Sequence, residues 1–202
     1  MTAHRFRATL LAPLVAVSLA GCGLNSVPTA EEDVNARFAD LQADYQRRSD
    51  LIGNLVETVK AAAAQESTVF IGISEARARA TQSTLSPADL SDPAKVQAFD
   101  QAQAAVGVAV RPLMGPSIQE RYPELKSLQN FTSLQDQIEG TENRINASRR
   151  DYNTSVQAYN VRIRTFPDAI GAKVFYGAKP KVPFAASAAA QEAPKVDFGN
   201  AS

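Results

Sequence analysis

Two long stretches of this chain place apolar residues at alternating spacings of three and four. In the first, one seam takes Val34, Leu41, Arg48, Leu55, Ala62, Val69 and Ala76. The other takes Phe38, Tyr45, Ile52, Val59, Glu66, Ile73 and Ala80. Such a seven-residue repeat marks helices packed in a left-handed bundle. It predicts one helix from about residue 30 to 83, roughly 80 Å long at about 1.5 Å per residue. Thr29 reads as its N-cap, and Glu31, Glu32 and Asp33 suit the positive helix end. Gly53 and Gly72 lie inside the run, where each costs about 1 kcal/mol of helix propensity, so they mark bends or close helix crossings.

The second stretch repeats Phe131, Ile138, Ile145, Tyr152, Tyr159 and Phe166, with Gln135, Glu142, Arg149, Val156 and Ile163 beside them. A third line, Asn146, Asn153 and Asn160, flanks the apolar face. Asn is a poor helix former. Its recurrence at one heptad position suggests either hydrogen bonds to a neighbouring helix or a solvated edge. Phe166-Pro167 ends this helix, and Pro167-Asp168 opens a short one to about Val174. Between the two stretches, Ser86-Pro87 restarts the chain as N-cap and first helical residue. An Ala-rich helix over 94–110 follows, with Val96, Phe99, Val106 and Val110 as its face, until Pro112 and Gly115-Pro116 break it. Tyr122-Pro123 is a further boundary.

The pattern predicts an all-α fold: an elongated four-helix bundle with two long helices, a shorter irregular second helix and a short C-terminal helix. Four charged residues lie in or beside the apolar seams: Arg48, Glu66, Glu142 and Arg149. Charges at core positions must be paired. Arg48 and Glu66 lie roughly 27 Å apart along a helix axis, whereas Glu142 and Arg149 lie roughly 10 Å apart. Rigid helices therefore admit at most one of the pairs Arg48–Glu142 and Glu66–Arg149. Structural pairing is the expected role.

The N-terminus has a different pattern. His4, Arg5 and Arg7 precede an apolar run from Leu10 to Leu19 that ends in Leu19-Ala20-Gly21-Cys22. About ten apolar residues are too few to cross a bilayer core, which needs about twenty. The run suits a secretory leader over 1–21. The tetrapeptide reads as a lipobox, cleaved before Cys22, whose thiol then carries lipid; a single acyl chain anchors only marginally, two or more stably. The expected division is a leader over 1–21, a tether over 22–30, a bundle domain over 31–177 and a disordered tail over 178–202. Gly23 in place of Asp favours the outer membrane, facing the periplasm, in a Gram-negative cell.

Composition narrows the chemistry. About 180 residues follow the leader, enough for one domain with a core. Without Arg5 and Arg7 the 21 basic side chains fall to 19, against 21 acidic ones, which gives no footprint for nucleic acid. The single histidine, His4, leaves with the leader, and Cys22 is the single cysteine. Disulfides and zinc–thiolate sites are thereby excluded. The commonest general base and the Glu-x-x-His pairs of di-metal bundles are lacking. No enzymatic activity, catalytic residue, metal or cofactor is expected. From Ala178 the chain turns to Ala, Pro, Lys and Ser, too little large apolar surface to offset ordering entropy. That tail repeats itself: Pro180-Lys181-Val182-Pro183-Phe184 and Pro194-Lys195-Val196-Asp197-Phe198. Val182, Phe184, Val196 and Phe198 are candidate anchors on a partner groove, unless the echo is an accident of composition.

The run from Tyr45 to Lys60 resembles the N-terminal motif of the LemA family. Tyr122-Pro123-Glu124-Leu125-Lys126, Asn130-Phe131, Leu134-Gln135 and Thr141-Glu142-Asn143-Arg144-Ile145 resemble its later motifs, as do Tyr152-Asn153, Tyr159-Asn160 and Phe166-Pro167. The resemblance covers about residues 34 to 184. Gly53 stands where the family usually has Pro, Pro112 and Gly115-Pro116 interrupt a usually continuous helix, and the lipobox replaces an N-terminal membrane helix. The resemblance implies a membrane-anchored, all-helical four-helix-bundle domain without established enzymatic activity, serving an envelope protein partner; the lipobox makes the anchor a lipid. Two functions remain open: a scaffold that binds proteins, or a carrier that holds a hydrophobic ligand in a pocket lined by Tyr45, Tyr152 and Tyr159.

Overall fold

The computed structural model describes residues 25–62, 67–126 and 129–185. Helix α1 spans Ser26–Ala62, α2 Ser67–Gln82 and α3 Pro93–Met114. Two short helices, α4 (Pro116–Arg121) and α5 (Pro123–Lys126), lead into α6 (Gln129–Arg162). A single turn, α7 (Asp168–Gly171), continues as a π turn over Ala172–Tyr176. The described residues are all-helical, with no strand among them.

Helix α1 begins one turn before the expected Thr29 cap, so the expected tether over 22–30 is helical from Ser26. Val27 explains this: it is buried in the core, so the first turn is held by packing. Thr29 Oγ1 instead donates to the Asn25 carbonyl at 2.7 Å.

The single helix expected over 30–83 is two helices. Arg77 Nε donates to Ser49 Oγ at 3.3 Å and Gln42 Nε2 to the Leu85 carbonyl at 3.4 Å, so α2 runs back along α1. The seam residues Ile73 and Ala76 are still buried. A heptad reports which face is apolar, and a reversal that keeps this face inward leaves the pattern intact. Gly53 causes no break. Nor does it mark a close helix crossing: a β-carbon there would lie 3.0 Å from the Arg77 guanidinium, the flexible tip of a long side chain from α2.

Ser86 and Asp89 bracket a 3-10 turn over Pro87–Ser91, with Ser86 N and Oγ donating to Asp89 Oδ2 at 2.9 and 2.6 Å. Asp89 also pairs with Lys95, and these hydrogen bonds, the Lys95 one first, hold its carboxyl well below the usual range. Asp92 then caps α3, accepting from Ala94 N at 2.9 Å. Pro112 does not end α3 as expected; the helix runs on to Met114. Leu113 is buried there, and its carbonyl accepts from Gln135 Nε2 at 2.7 Å, which supports the last turn.

The long helices are antiparallel. Ser26 meets Arg162, Asp44 meets Ser148 and Arg48 meets Glu142, in opposite chain order. Helix α3 runs parallel to α1, with Phe99 against Phe38 and Tyr45 and Gln103 against Arg48. The result is an up-down-up-down bundle. Phe131, Ile138, Ile145, Tyr152 and Tyr159 are all buried, as their stripe predicts. Phe166, the sixth member, lies beyond the end of α6 and is 83% exposed. A stripe points inward only while its helix continues.

Candidate functional site

Arg48, Glu142, Arg149 and the asparagine line, polar groups that sequence patterning singles out, converge along one groove between α3 and α6. Its floor at one end is aromatic: Phe38 from α1, Phe99 from α3 and Tyr152 from α6. Helices alone leave this floor open, because α2 ends at Gln82 and α3 starts at Pro93. The C-terminal segment closes it. The backbone reverses at Gly177, whose φ of +55° is the left-handed conformation that favours glycine. Residues 178–185 then run extended back along α6. The disorder expected from Ala178 is therefore incorrect as far as Ala185, the last residue described there.

Two asparagines hold this segment by its backbone. Asn160 Nδ2 donates to the Lys181 carbonyl and Asn160 Oδ1 accepts from Lys181 N, both at 2.8 Å. Asn153 treats Phe184 in the same way, with both bonds at 2.9 Å. The spacing explains why the pattern works. Seven helical residues rise about 10.5 Å, and three extended residues span about 10 Å. A heptad of asparagines therefore meets every third residue of an antiparallel extended chain. The partner is an extended segment of the same molecule, not the neighbouring helix that the heptad suggests. Asn146, one heptad further on, has no such bond to the described residues.

Side chains add the anchoring. Phe184 is buried, with ring centroids 5.0 Å from Tyr152, 6.0 Å from Phe99 and 6.5 Å from Phe38. Lys181 is only 6% exposed, and its ammonium reaches Glu31 Oε1 at 2.8 Å and the Pro87 carbonyl at 3.2 Å. Both bonds offset the cost of its burial. Val182, half-buried, donates its N–H to the Leu90 carbonyl at 2.8 Å and accepts from Tyr152 Oη at 3.0 Å. Of the two candidate motifs, the first thus docks on its own bundle. Val196 and Phe198, the anchors of the second, lie outside the described residues, as do Cys22 and Glu66.

Of the two seam pairs considered, Arg48–Glu142 is formed, at 3.1 Å. Arg48 also donates to Gln103, at 2.8 Å to the carbonyl and 2.9 Å to Oε1. Arg149 pairs with Asp100 of α3, at 2.7 and 3.3 Å, donates to the Ala185 carbonyl at 2.7 Å and lies 5.3 Å from the Phe184 ring centroid. Sequence reasoning missed Asp100, Gln103 and Lys181. None stands out by period, and their partners lie on elements whose adjacency is tertiary.

Beyond Ala185 the groove widens to a volume of ≈ 910 Å³, lined by Arg48, Gly107, Val108, Arg111, Glu142 and Asn146 among others. Burial raises the Tyr45 phenol here, opposed by the neighbouring Arg149 and Arg48 charges. Tyr152 and Tyr159 are fully packed. The Arg48 and Arg149 guanidiniums are paired with Glu142 and Asp100, and no group of three or more metal-ligating side chains occurs among the described residues. This chemistry binds a peptide backbone.

The LemA family model matches residues 37–198. Magnetosome protein MamQ 2 of Paramagnetospirillum magneticum is 28% identical over 159 residues, covering 71% of this chain and 58% of that protein. Magnetosome protein MamQ of Magnetospirillum gryphiswaldense matches to the same extent. The matched region thus spans 58% of the length of these relatives.

Proposed function

The chain belongs to the LemA family, and from that premise we propose that it is a lipid-anchored cell-envelope protein that acts without catalysis, as a scaffold or interaction module for other envelope proteins. Cys22 is the lipid attachment site. In a Gram-negative cell, Gly23 directs it to the outer membrane, facing the periplasm. Among the described residues no helix is long and apolar enough to cross a membrane.

The observation that carries this reading is the packed core. A carrier would keep an apolar pocket beside Tyr45, Tyr152 and Tyr159. Tyr152 and Tyr159 are instead sealed, at 0% and 1% exposure, under the chain's own C-terminal segment, and the groove that Tyr45 borders is lined with the charged side chains of Arg48, Arg111, Glu139 and Glu142. What the molecule presents is a long helical bundle whose α3–α6 groove continues, open and polar, beyond its own docked segment, which suits protein contacts. Mass spectrometry of the native chain should find Cys22 as an acylated N-terminus. Cross-linking in intact envelopes, followed by purification of the full chain, should recover an envelope protein that the Cys22→Ser chain does not. Retention of Cys22→Ser at the membrane through a high-salt wash, still cleaved before residue 22, would reject the anchor. Recovery of a bound small hydrophobic ligand in stoichiometric amount would favour the carrier.

A further inference from the structure

Among the described residues, four exposed apolar side chains gather at one end of the bundle. Phe166 is 83% exposed, Val174 68%, Phe175 67% and Ile170 57%. These four come from the ten residues that cap the C-terminal end of α6. Ile170 and Val174 are four apart on helical backbone and share a face. Gly171 and Ala172, on the opposite face, are buried, with Ala172 packed in the same core cluster as Val27. The apolar side chains therefore face away from the bundle. Singly exposed apolar residues need no explanation, but a contiguous group does.

The same end holds the start of α1. Arg162 Nη1 donates to the Ser26 carbonyl at 3.0 Å, and Arg162 also reaches Asp168 at 3.7 Å. Only residues 22–25 separate the proposed lipid attachment from this point, a reach of at most about 14 Å. The anchor thus brings this end of the rod against the lipid headgroups. Charge agrees. Residues 164–179 contain Arg164, Lys173 and Lys179, all exposed, against Asp168 alone, which is held by Arg162. The rest of the mature chain is acidic by composition, so the basic excess is local.

We propose that this end docks on the bilayer surface: Phe166, Ile170, Val174 and Phe175 enter the headgroup–acyl boundary, and Arg164, Lys173 and Lys179 meet anionic headgroups. The lipid at Cys22 then tethers the molecule while the docked end sets the rod upright. The orientation rests on the anchor reading, so the test reads the two separately. The chain has no Trp, so Phe175→Trp installs a single fluorescent reporter at a position 67% exposed. The native lipidated chain carrying it is reconstituted in vesicles of phosphatidylcholine and phosphatidylglycerol, with brominated acyl chains as quencher. Val108→Trp, on the side of the rod, is the control. Docking predicts a blue-shifted, strongly quenched reporter at 175 and an unquenched one at 108. The Cys22→Ser chain at high vesicle concentration should show the same quenching at 175, lost when Phe166→Ser and Val174→Ser are added and weakened when phosphatidylglycerol is omitted. Equal quenching at 175 and 108, or none at 175 in either chain, overturns the docking. Failure of the native chain to co-float with vesicles more firmly than Cys22→Ser overturns the anchor and leaves the docking to be read from the quenching.

Discussion

The two halves of the bundle solve the same packing problem differently. Towards the α1–α2 reversal the core is mostly aliphatic: Leu51, Ile52, Leu55 and Val59 meet Ile73, Val106, Leu113 and Ile138. Helices close it. Towards Ser26 the core is aromatic, and its open side is closed by an extended segment. A helix arrives with its backbone hydrogen bonds made internally. An extended segment arrives with N–H and C=O groups that need partners, since burying them unpaired costs free energy. Hence this half carries an asparagine ladder, a buried lysine and, in Arg149, an arginine that reaches a carbonyl of the segment. A missing helix can be replaced by eight residues of extended chain, provided polar side chains are placed to receive its backbone.

The comparison can be broken most directly at its two large aromatic plugs. Phe131→Ala, in the helix-closed half, should cost about 3–5 kcal/mol as a cavity mutation. Phe184→Ala should cost less, because the extended segment can detach once its docking no longer balances its ordering entropy. Deleting residues 178–202 should then lower the urea midpoint by at least as much as Phe184→Ala. An unchanged midpoint on deletion would show that the segment contributes nothing to the fold.

Next come the asparagines. Asn153→Ala leaves the N–H and C=O of Phe184 without partners and should cost about 1–3 kcal/mol. Asn146→Ala, which holds no described backbone, should stay within about 0.5 kcal/mol. Equal losses at the two positions would remove the ladder from the argument. Hydrogen exchange sharpens the same point: the amides of Lys181, Val182 and Phe184 should exchange well before those of α6 around Ile138, through local release of the segment.

The smallest effect is on pH dependence. Burial, with Glu31 assisting, pushes the Tyr159 phenol up to about 12, and burial raises Tyr152 and Tyr45 as well. An unfolded tyrosine titrates near about 10. A raised folded value means stability is fully present below the unfolded value and lost as pH rises through the folded one. The urea midpoint should fall between about pH 10 and about pH 12, and Tyr159→Phe should blunt the fall. An identical pH profile in that variant would remove Tyr159 as a contributor.

Much of this architecture is legible in the residues. The stripe from Phe131 to Tyr159 identifies the buried face of α6, and Val34, Phe38 and Leu41 do so for α1, because burial imposes a helical period on apolar positions. Capping chemistry is local and equally legible at Asp92-Pro93. The same local reading goes astray where packing outweighs propensity: at Val27, which extends α1 backward, and at Pro112, which α3 continues past. The composition of residues 178–185 suggests disorder because it holds few large apolar groups, yet Phe184 and Lys181 suffice once a prepared groove supplies the rest.

The sequence by itself determined the helices, their apolar faces, the asparagine repeat and the family. These depend on period and local chemistry, which a linear chain carries in full. Only the tertiary structure decided that the first heptad run folds back on itself, that Arg149 meets Asp100, and that the asparagines receive an extended segment. Each is a choice among partners distant in the chain, and periodicity states that a face needs covering without stating what covers it.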